Sequence, residues 1–385
     1  MGSIRCLLLA FLICFPLISS GRVRVAVTCW GYRDLKSKHH NWSELDAKYR
    51  HHTAGYNQTL ARILVEYASA VYMSDLTALF TWTCSRCTGM TEGFEMIELI
   101  VDVQHCLQAY VGVAEDLNAI VIAFRGTQEN SLQNWIEDLF WKQLDLNYPG
   151  MPDSMVRVIR HCKVHHGFYS AYHNTTIRPG IVSAVQRAWE LYGNIGVMTT
   201  GHSMGGAMAA FCALDLKVNY GANISQVITF GQPRIGNSVF ASYFSDHIPT
   251  AFRMINDHDM VPHLPPYYTY FPRKTYHHFP REVWLYNIGV GSLVYMVEKV
   301  CDGSGEDPTC SRCRSVYGNS VSDHLKYFGV ELQAETWGSC KIIIDSDKIK
   351  KDGTESTDFV LSRDDSSVIT LKNSRLDGYA LSSSL

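Results

Sequence analysis

The chain has 385 residues, of which 46% are hydrophobic, so it is long enough to bury a large core. Its formal charge of −3, its pI near 6.6 and the lack of a Lys/Arg run argue against a nucleic-acid-binding protein. This length allows two domains, but α/β enzymes of this size often form one.

The amino-terminal residues are typical of a secretory signal peptide. A basic residue precedes the apolar run Cys6–Ile18, and Ser19 and Gly21 suit cleavage near Gly21. The run is shorter than the roughly 20 residues of a membrane span, and Pro16 interrupts it. We therefore expect residues 1–21 to be removed and the mature protein to be soluble in the secretory pathway, whether extracellular, vacuolar or in the ER lumen. An uncleaved anchor is the alternative.

Sequons and cysteines also favour an oxidising, secretory compartment. Ten cysteines remain after the leader, which indicates a partial disulfide framework. The motifs Cys84-Ser-Arg-Cys87 and Cys310-Ser-Arg-Cys313 leave a zinc site open, although secretion favours disulfides. Cys212 is expected to be a buried, inert thiol. Four N-x-S/T sequons occur, at Asn41, Asn57, Asn174 and Asn223.

The first part of the mature chain predicts a helix followed by strands. Apolar residues recur at helical spacing over 60–80, while 97–113 and 119–124 look like strands. The second strand is a continuous apolar run, typical of a strand buried on both faces. Thr127 follows it directly, and loops at the carboxyl ends of strands form the site in α/β sheets. Thr127 is thus a candidate oxyanion donor, with a helix cap or turn as an equal alternative.

An apolar stripe comes next, over 131–141. Leu132, Trp135 and Ile136 lie on one side of the helical wheel, opposite polar residues. Such a stripe is more often part of a core. Because this one follows the candidate oxyanion loop and carries two tryptophans, it predicts a mobile lid over an apolar cleft.

The pentapeptide Gly201-His-Ser-Met-Gly205 stands between an extended apolar run, 195–200, and a breaker-free helical run, 207–216. A G-x-S-x-G sequence at a strand-to-helix turn is the arrangement of a nucleophile elbow. The turn is too sharp for flanking β-carbons, so glycine stands two residues away on each side of Ser203. The alternative is a glycine-rich turn that opens a packed helix.

Candidates for the acid and the base come later in the chain. Asp257 and Asp259 lie on a proline-rich loop after the strand 251–255, and His324 starts a short segment near 322–329. Serine, then Asp, then His is the α/β-hydrolase order. A serine hydroxyl needs a neutral imidazole to take its proton, and a carboxylate to orient that imidazole. Rival bases remain among the histidines, namely His258, His263, His277 and His278, whereas His165 and His202 are interpreted as structural.

Four motifs follow one another along the chain, namely Phe124-Arg-Gly-Thr127, Gly201-His-Ser-Met-Gly205, Asp259-Met-Val-Pro-His-Leu-Pro-Pro266 and His324-Leu-Lys-Tyr-Phe-Gly329. In this order they resemble the class 3 (fungal-type triacylglycerol) lipases, including their plant secreted members. The resemblance covers roughly 60–330 and implies an α/β-hydrolase fold, with a mostly parallel sheet, helices on both faces and a short helical lid.

The resemblance also implies roles for individual residues. It favours Asp259 over Asp257, and in some members a cystine occurs that would be Cys29–Cys340 here. An aromatic insert near 267–295 departs from the short fungal pattern, as does the region 301–313. The implied roles are nucleophile for Ser203, acid for Asp259, base for His324, oxyanion donors for Thr127 and Met204, and lid for Leu132, Trp135 and Ile136.

The sequence therefore predicts one hydrolase domain over 22–344 and a Ser- and charge-rich tail, 345–385, that is loosely attached. We expect a secreted serine hydrolase that cleaves lipid esters, triacylglycerol or a related acylglycerol, at an oil–water or membrane interface. No cofactor, metal, nucleic acid or stable protein partner is expected. Phospholipase A1, galactolipase or aryl-esterase activity is the rival, and a non-catalytic lipid-binding protein is the remote alternative.

Overall fold

The central feature is a sheet of 11 strands, of which five consecutive ones are parallel. The computed structural model describes residues 55–127, 143–146, 162–267, 275–290, 292–313, 320–334, 350–351, 359–363 and 369–373. The strands are β1 (Glu95–Asp102), β2 (Leu107–Ala114), β3 (Ala119–Phe124), β4 (Gln143–Asp145), β5 (Lys163–His165), β6 (Gly196–His202), β7 (Ile224–Phe230), β8 (Ala251–Asn256), β9 (Glu282–Val290), β10 (Leu293–Val300), β11 (Lys326–Tyr327), β12 (Val330–Glu331), β13 (Lys350–Lys351), β14 (Phe359–Arg363) and β15 (Ile369–Asn373).

The strand order across the sheet is β10-β9-β8-β7-β6-β3-β2-β1-β14-β15-β13. Strands β3, β6, β7, β8 and β9 run in one direction, so their carboxyl ends meet at one edge. Strands β1, β2 and β10 are antiparallel to their neighbours. This is the α/β-hydrolase architecture that the sequence predicted.

Seven α-helices lie among the described residues, and they cover both faces of the sheet. None of these helices is long and apolar enough to cross a membrane. They are α1 (Gln58–Ala70), α2 (Leu76–Phe80), α3 (His166–His173), α4 (Ile177–Tyr192), α5 (Met204–Tyr220), α6 (Ser238–His247) and α7 (Val321–His324).

The sheet divides the hydrophobic core in two, and β3 shows how. All six of its residues are buried. Ile120 and Ile122 pack in a cluster with α3, α4, α5 and α6, whereas Val121 and Ala123 pack in a second cluster with α1 and α2. Successive residues of a strand point to opposite faces, so a continuous apolar run is what a sheet covered on both sides requires.

The helical pattern predicted over 60–80 is in fact two helices. Asn57 begins α1 by accepting a hydrogen bond from the Leu60 amide, and Asp75 begins α2 in the same way with the Ala78 amide. An aspartate side chain that bonds to nearby backbone competes with continuation of the helix, so the chain breaks before Asp75.

The carboxyl-terminal segment differs from the loosely attached tail that its composition predicted. Three short strands lie in it, and β14 pairs antiparallel with β1. Leu361 of β14 is fully buried in the cluster that contains α1 and α2. Charged and serine-rich neighbours hid this short apolar run in the sequence.

Disulfides join Cys84 to Cys87 and Cys301 to Cys310. Three of the four sulfurs of the two Cys-x-x-Cys motifs are therefore in disulfides, so these motifs do not form a four-cysteine zinc site. A potential donor cluster of Glu282, Cys301 and Cys310 fails for the same reason. Cys212 is a buried thiol, and burial raises its pKa, as expected of an inert cysteine.

Candidate active site

Ser203 occupies the sharp turn between β6 and α5. Its backbone has φ 57° and ψ −126°, a region that a non-glycine residue rarely adopts. The turn is held by a hydrogen bond from the Ser203 amide to the Phe230 carbonyl at the end of β7, 2.9 Å long. The side chain is buried, and its Oγ makes no hydrogen bond with any described residue.

The two glycines of the pentapeptide allow neighbouring backbone segments to approach closely. A β-carbon on Gly201 would lie 2.4 Å from the Gly205 carbonyl oxygen, and one on Gly205 would lie 2.2 Å from the Phe124 carbonyl oxygen. Neither contact is possible for a real side chain. Glycine therefore lets the first turn of α5 press against the end of β3, as the sequence pattern indicated.

Asp259 and His324 form a fully buried carboxylate–imidazole pair. The Nδ1 atom of His324 lies 2.9 Å from each carboxylate oxygen of Asp259. The Tyr327 hydroxyl donates to Oδ2 (2.5 Å) and the Val261 amide donates to Oδ1 (2.9 Å), so three donors fix the carboxylate. With its proton on Nδ1, the imidazole presents the lone pair of Nε2, which makes no hydrogen bond with a described residue.

The end of β7 brings Ser203 and His324 to the same place. The Phe230 carbonyl accepts the hydrogen bond from the Ser203 amide, and the next residue, Gly231, has φ 59°. A β-carbon on Gly231 would lie 2.8 Å from Cε1 and Nδ1 of His324 and 2.8 Å from Oδ2 of Asp259. Only glycine leaves room for the imidazole to lie directly against this turn.

The two candidate oxyanion donors are also neighbours. Phe124 pairs with Gly201 in the β3–β6 register, so the loop after β3 runs beside the start of α5. The Oγ1 of Thr127 lies 3.8 Å from the Sδ of Met204. Because Met204 is the first residue of α5, its amide is among those that a helix start leaves without an intrahelical acceptor.

A buried hydrogen-bond chain links this loop to His324. The Gly126 amide donates to the Tyr72 hydroxyl (3.1 Å), which lies 2.7 Å from Nδ1 of His202, and Nε2 of His202 lies 2.7 Å from the His324 carbonyl oxygen. A carbonyl only accepts, so Nε2 of His202 carries the proton, and the Tyr72 hydroxyl donates to Nδ1. Burial holds the pKa of His202 well below its usual range, so the ring is neutral.

Sequence reasoning interpreted His202 as structural, and its contacts are with the protein interior. It missed Tyr72 and Tyr327, whose hydroxyls bond to His202 and to Asp259 respectively. Tyr72 stands in an apolar stretch where it looks like an ordinary core residue. The only available signal for Tyr327 was its position in the motif that contains His324.

Asp257, the alternative acid, lies apart from His324. It follows β8 with φ 35°, and its carboxylate pairs with Nδ1 of His258 at 2.9 Å. Because His258 pairs with Asp257, it is not the imidazole that contacts Asp259. The structure thus brings Asp259, and not Asp257, to the imidazole of His324.

The remaining histidines that could have served as the base have structural contacts or a lowered pKa instead. His278 is buried with Nε2 against the Pro262 carbonyl (2.7 Å), and His277 contacts the His278 carbonyl through Nδ1 (2.7 Å). Burial lowers the pKa of His263 to about 4. His165 accepts from the Phe168 amide at the start of α3, which agrees with a structural role.

Several predictions concern residues outside those that the structure describes. They are the signal peptide 1–21, the lid with Leu132, Trp135 and Ile136, the sequon at Asn41, and the pair Cys29–Cys340. The other sequons, at Asn57, Asn174 and Asn223, have exposed side chains.

A parallel sheet whose carboxyl edge carries a serine turn and, beside it, a carboxylate–imidazole pair is the arrangement of an α/β hydrolase. Within that superfamily, the family model for lipase (class 3) matches residues 121–269. A lipase of Caenorhabditis elegans is 30% identical over 316 residues, which are 74% of this chain and 83% of that protein. The chain belongs to the class 3 lipase family, as the four sequence motifs predicted.

Two further relatives agree with this membership. The lipase of Rhizomucor miehei is 33% identical over 254 residues, which are 65% of this chain and 62% of that protein. The chain thus spans less than two thirds of that relative's length. A solved triacylglycerol lipase, whose catalytic centre is described as a serine-protease triad, superposes with a TM-score of 0.58 and 31% identity, covering 72% of this chain and 97% of that one.

Proposed function

We propose that the protein is a secreted carboxylic ester hydrolase that cleaves acylglycerols through an acyl-enzyme on Ser203. The observation that carries the proposal is the buried pair of atoms without hydrogen bonds, Oγ of Ser203 and Nε2 of His324, at one edge of the sheet. Buried polar atoms in proteins are nearly always hydrogen-bonded, so a serine and an imidazole that both pack at the end of β7 and both lack a bond point to groups that bond to a substrate.

In the first half-reaction, Nε2 of His324 takes the Ser203 proton as Oγ attacks the ester carbonyl carbon. The tetrahedral intermediate then collapses, and the alcohol leaves with the proton from Nε2. In the second half-reaction, water gives its proton to Nε2 and attacks the acyl-enzyme. The acid leaves, and Ser203 regains its proton.

Asp259 holds the imidazole in the tautomer that this chemistry needs. Its two oxygens face Nδ1 of His324, so the proton stays on Nδ1 and Nε2 remains the base. The carboxylate also stabilises the imidazolium that forms in each half-reaction. Tyr327 and the Val261 amide prevent the carboxylate from rotating away.

The Met204 amide and a donor on Thr127 bind the negative charge that develops on the carbonyl oxygen. Donors fixed before the reaction stabilise this charge without reorganising, and removing one of them typically costs 10²–10³-fold in rate. The support here is the contact between Thr127 and Met204 and the position of Met204 at the start of α5.

A lipid ester is the substrate class that the relatives favour, since one of them is a triacylglycerol lipase. The predicted lid at 131–141, with its apolar stripe, suits a cleft that stays covered until a lipid surface is present. Secretion is supported by the apolar leader, by the exposed sequons and by two disulfides. Phospholipase A1, galactolipase and aryl-esterase activities are the alternatives.

A fluorophosphonate probe tests the nucleophile, and a substrate panel tests the class. We expect the probe to label the wild type and Ser225→Ala but not Ser203→Ala, because Ser225 lies at the start of β7, far from the carboxyl edge. Ser203→Ala should retain only the ~10³-fold acceleration over water that oxyanion donors supply. Near-normal turnover by this variant would refute the proposal. The hydrolysis rates of a substrate panel, each measured below and above the concentration at which the substrate aggregates, then rank the alternatives. The panel contains tri- and diacylglycerol, phosphatidylcholine, galactolipid and an aryl acetate.

A further inference from the structure

Strands β9 and β10 form a two-stranded ribbon that extends past the rest of the sheet. Pairing between β8 and β9 ends at Asn256 with Leu285, whereas pairing between β9 and β10 continues to Val290 with Leu293. At about 3.3 Å per residue, the five residues after Leu285 carry the ribbon roughly 16 Å beyond its last contact with β8.

The ribbon leaves the sheet at the carboxyl edge. Strand β9 is parallel to β8, β7 and β6, so its end points the same way as the ends that precede Asp259 and Ser203. With strands about 4.8 Å apart, β9 lies roughly 15 Å across the sheet from β6. A surface that touches the ribbon tip therefore lies on the same side of the molecule as the candidate active site.

The ribbon tip is apolar, exposed and uncharged. No charged residue occurs from Val283 to Val297. Four consecutive side chains are more than half exposed, namely Leu293 (58%), Val294 (72%), Tyr295 (53%) and Met296 (57%). Soluble proteins rarely leave such a continuous apolar segment in water unless it contacts something else.

Both faces of the ribbon expose apolar side chains, although one of them also carries the amide of Asn287. Tyr295 pairs with Ile288, so these two side chains lie on one face, while Met296 pairs with Asn287 on the other. Val294, the most exposed of the four, shares its face with Met296. A protein partner that packed on one face would leave the other in water, whereas lipid surrounds both.

We propose that the tip of the β9–β10 ribbon, residues 286–290 and 292–297, inserts into the hydrocarbon of a lipid surface and holds the active site against it. The charges are kept at the base of the ribbon, where Glu298 accepts hydrogen bonds from the Tyr56 hydroxyl (2.8 Å) and from Gln58. This contact with the start of α1 fixes the direction of the ribbon. The choice of lipid as the partner rests on the proposed function, because a lipid ester must reach this same edge.

Flotation with phosphatidylcholine vesicles tests the proposal, since these vesicles carry no net charge to attract the protein. The full chain is used with Ser203→Ala, so hydrolysis cannot change the vesicles. Two double variants remove the apolar side chains of one face each, Val294→Ser with Met296→Ser and Leu293→Ser with Tyr295→Ser. Each should lower the partition coefficient tenfold or more, since full burial of two such side chains contributes at least that much.

Leu191→Ser is the matched control. Leu191 is 57% exposed, but it lies near the end of α4, just before β6 begins, and so at the opposite edge of the sheet. This variant should partition as the parent does. With Ser203 intact, both double variants should hydrolyse a soluble short-chain ester at the parent rate and lose activity only on emulsified substrate.

Unchanged partitioning in both double variants would overturn the proposal. A second result would also overturn it: the parent is a dimer, the double variants are monomers, and vesicle binding persists in the variants. The ribbon would then contact a second copy of the chain. Failure of the proposed function gives a different result. If the chain binds vesicles through the ribbon but hydrolyses no ester, the ribbon proposal stands and the proposed ester hydrolysis is refuted.

Discussion

The imidazole of His202 lies over the imidazole of His324, with ring centroids 4.3 Å apart, and donates a hydrogen bond from Nε2 to the His324 carbonyl. The residue next to Ser203 thus supports both the ring and the backbone of the proposed base. Tyr72 completes the arrangement by bonding to the other nitrogen of His202 and to the Gly126 amide.

Tyr72→Phe tests whether this chain positions the site. The change leaves Nδ1 of His202 and the Gly126 amide without their partner, and a lost buried hydrogen bond costs about 1–3 kcal/mol. We expect kcat to fall about tenfold while KM for a soluble ester stays within twofold. Tyr67→Phe removes a hydroxyl from α1, the helix that ends just before Tyr72, without touching the site and should keep the parent kcat. A purely structural Tyr72 would lower the melting temperature and leave kcat intact.

The two aspartates after β8 form a matched pair of variants. Asp259→Asn should lower kcat by several orders of magnitude, because an amide no longer selects the Nδ1-protonated tautomer of His324, and a loss of about 10⁴-fold is typical of serine hydrolases. Asp257→Asn should change kcat by less than threefold, since Asp257 faces His258. Steady-state kinetics on a soluble ester measure both. The reverse ranking would assign the acid to Asp257.

Acid should destabilise the fold through Glu306. Burial alone would raise the pKa of this carboxyl, but Arg234, at 2.7 and 2.8 Å, lowers the pKa to about 2. The folded pKa lies below the unfolded value near 4.5, so the stabilisation is complete above pH 4.5 and is lost as the pH falls towards 2. The loss should be on the order of 3 kcal/mol.

Urea unfolding between pH 6 and pH 2 measures this effect. Glu306→Gln should be less stable at pH 6 and should show a flatter dependence on pH below 4.5. Parallel curves for the variant and the parent would contradict the assignment of the acid-sensitive step to this ion pair.

Leu361→Ala tests the attachment of the carboxyl-terminal segment. Leu361 is fully buried, and truncation of such a leucine costs about 2–5 kcal/mol. Leu191→Ala, at an exposed position, should cost less than about 0.5 kcal/mol. Equal unfolding free energies for the two variants would mean that β14 is not part of the stable fold, as the composition of the tail first suggested.

Local patterns were sufficient for the parallel strands β3, β6, β7 and β8 and for the set of candidate residues. Strand β3 was predictable because an uninterrupted apolar run has few other uses, and Ser203 because its turn needs glycines at fixed spacing. The choice between Asp257 and Asp259 came from family resemblance. Geometry separates them, since the positive φ of Asp257 sends its side chain towards His258.

Long-range contacts were beyond sequence reasoning. The bond between Tyr72 and His202 joins residues 130 positions apart, and nothing in the local sequence around Tyr72 distinguishes this tyrosine from other core aromatics. The exposure of the β9–β10 ribbon could not be predicted from the sequence for a related reason. An apolar strand has the same sequence whether neighbouring strands extend alongside it or stop short.

The contact between Gly205 and the Phe124 carbonyl joins the start of α5 directly to the end of β3. The turn that carries Ser203 and the loop that carries Thr127 are thereby joined through adjacent backbone segments. A substitution that adds a side chain at Gly205 would therefore displace both segments together, so an engineer who wishes to change the specificity of the protein should leave this position alone.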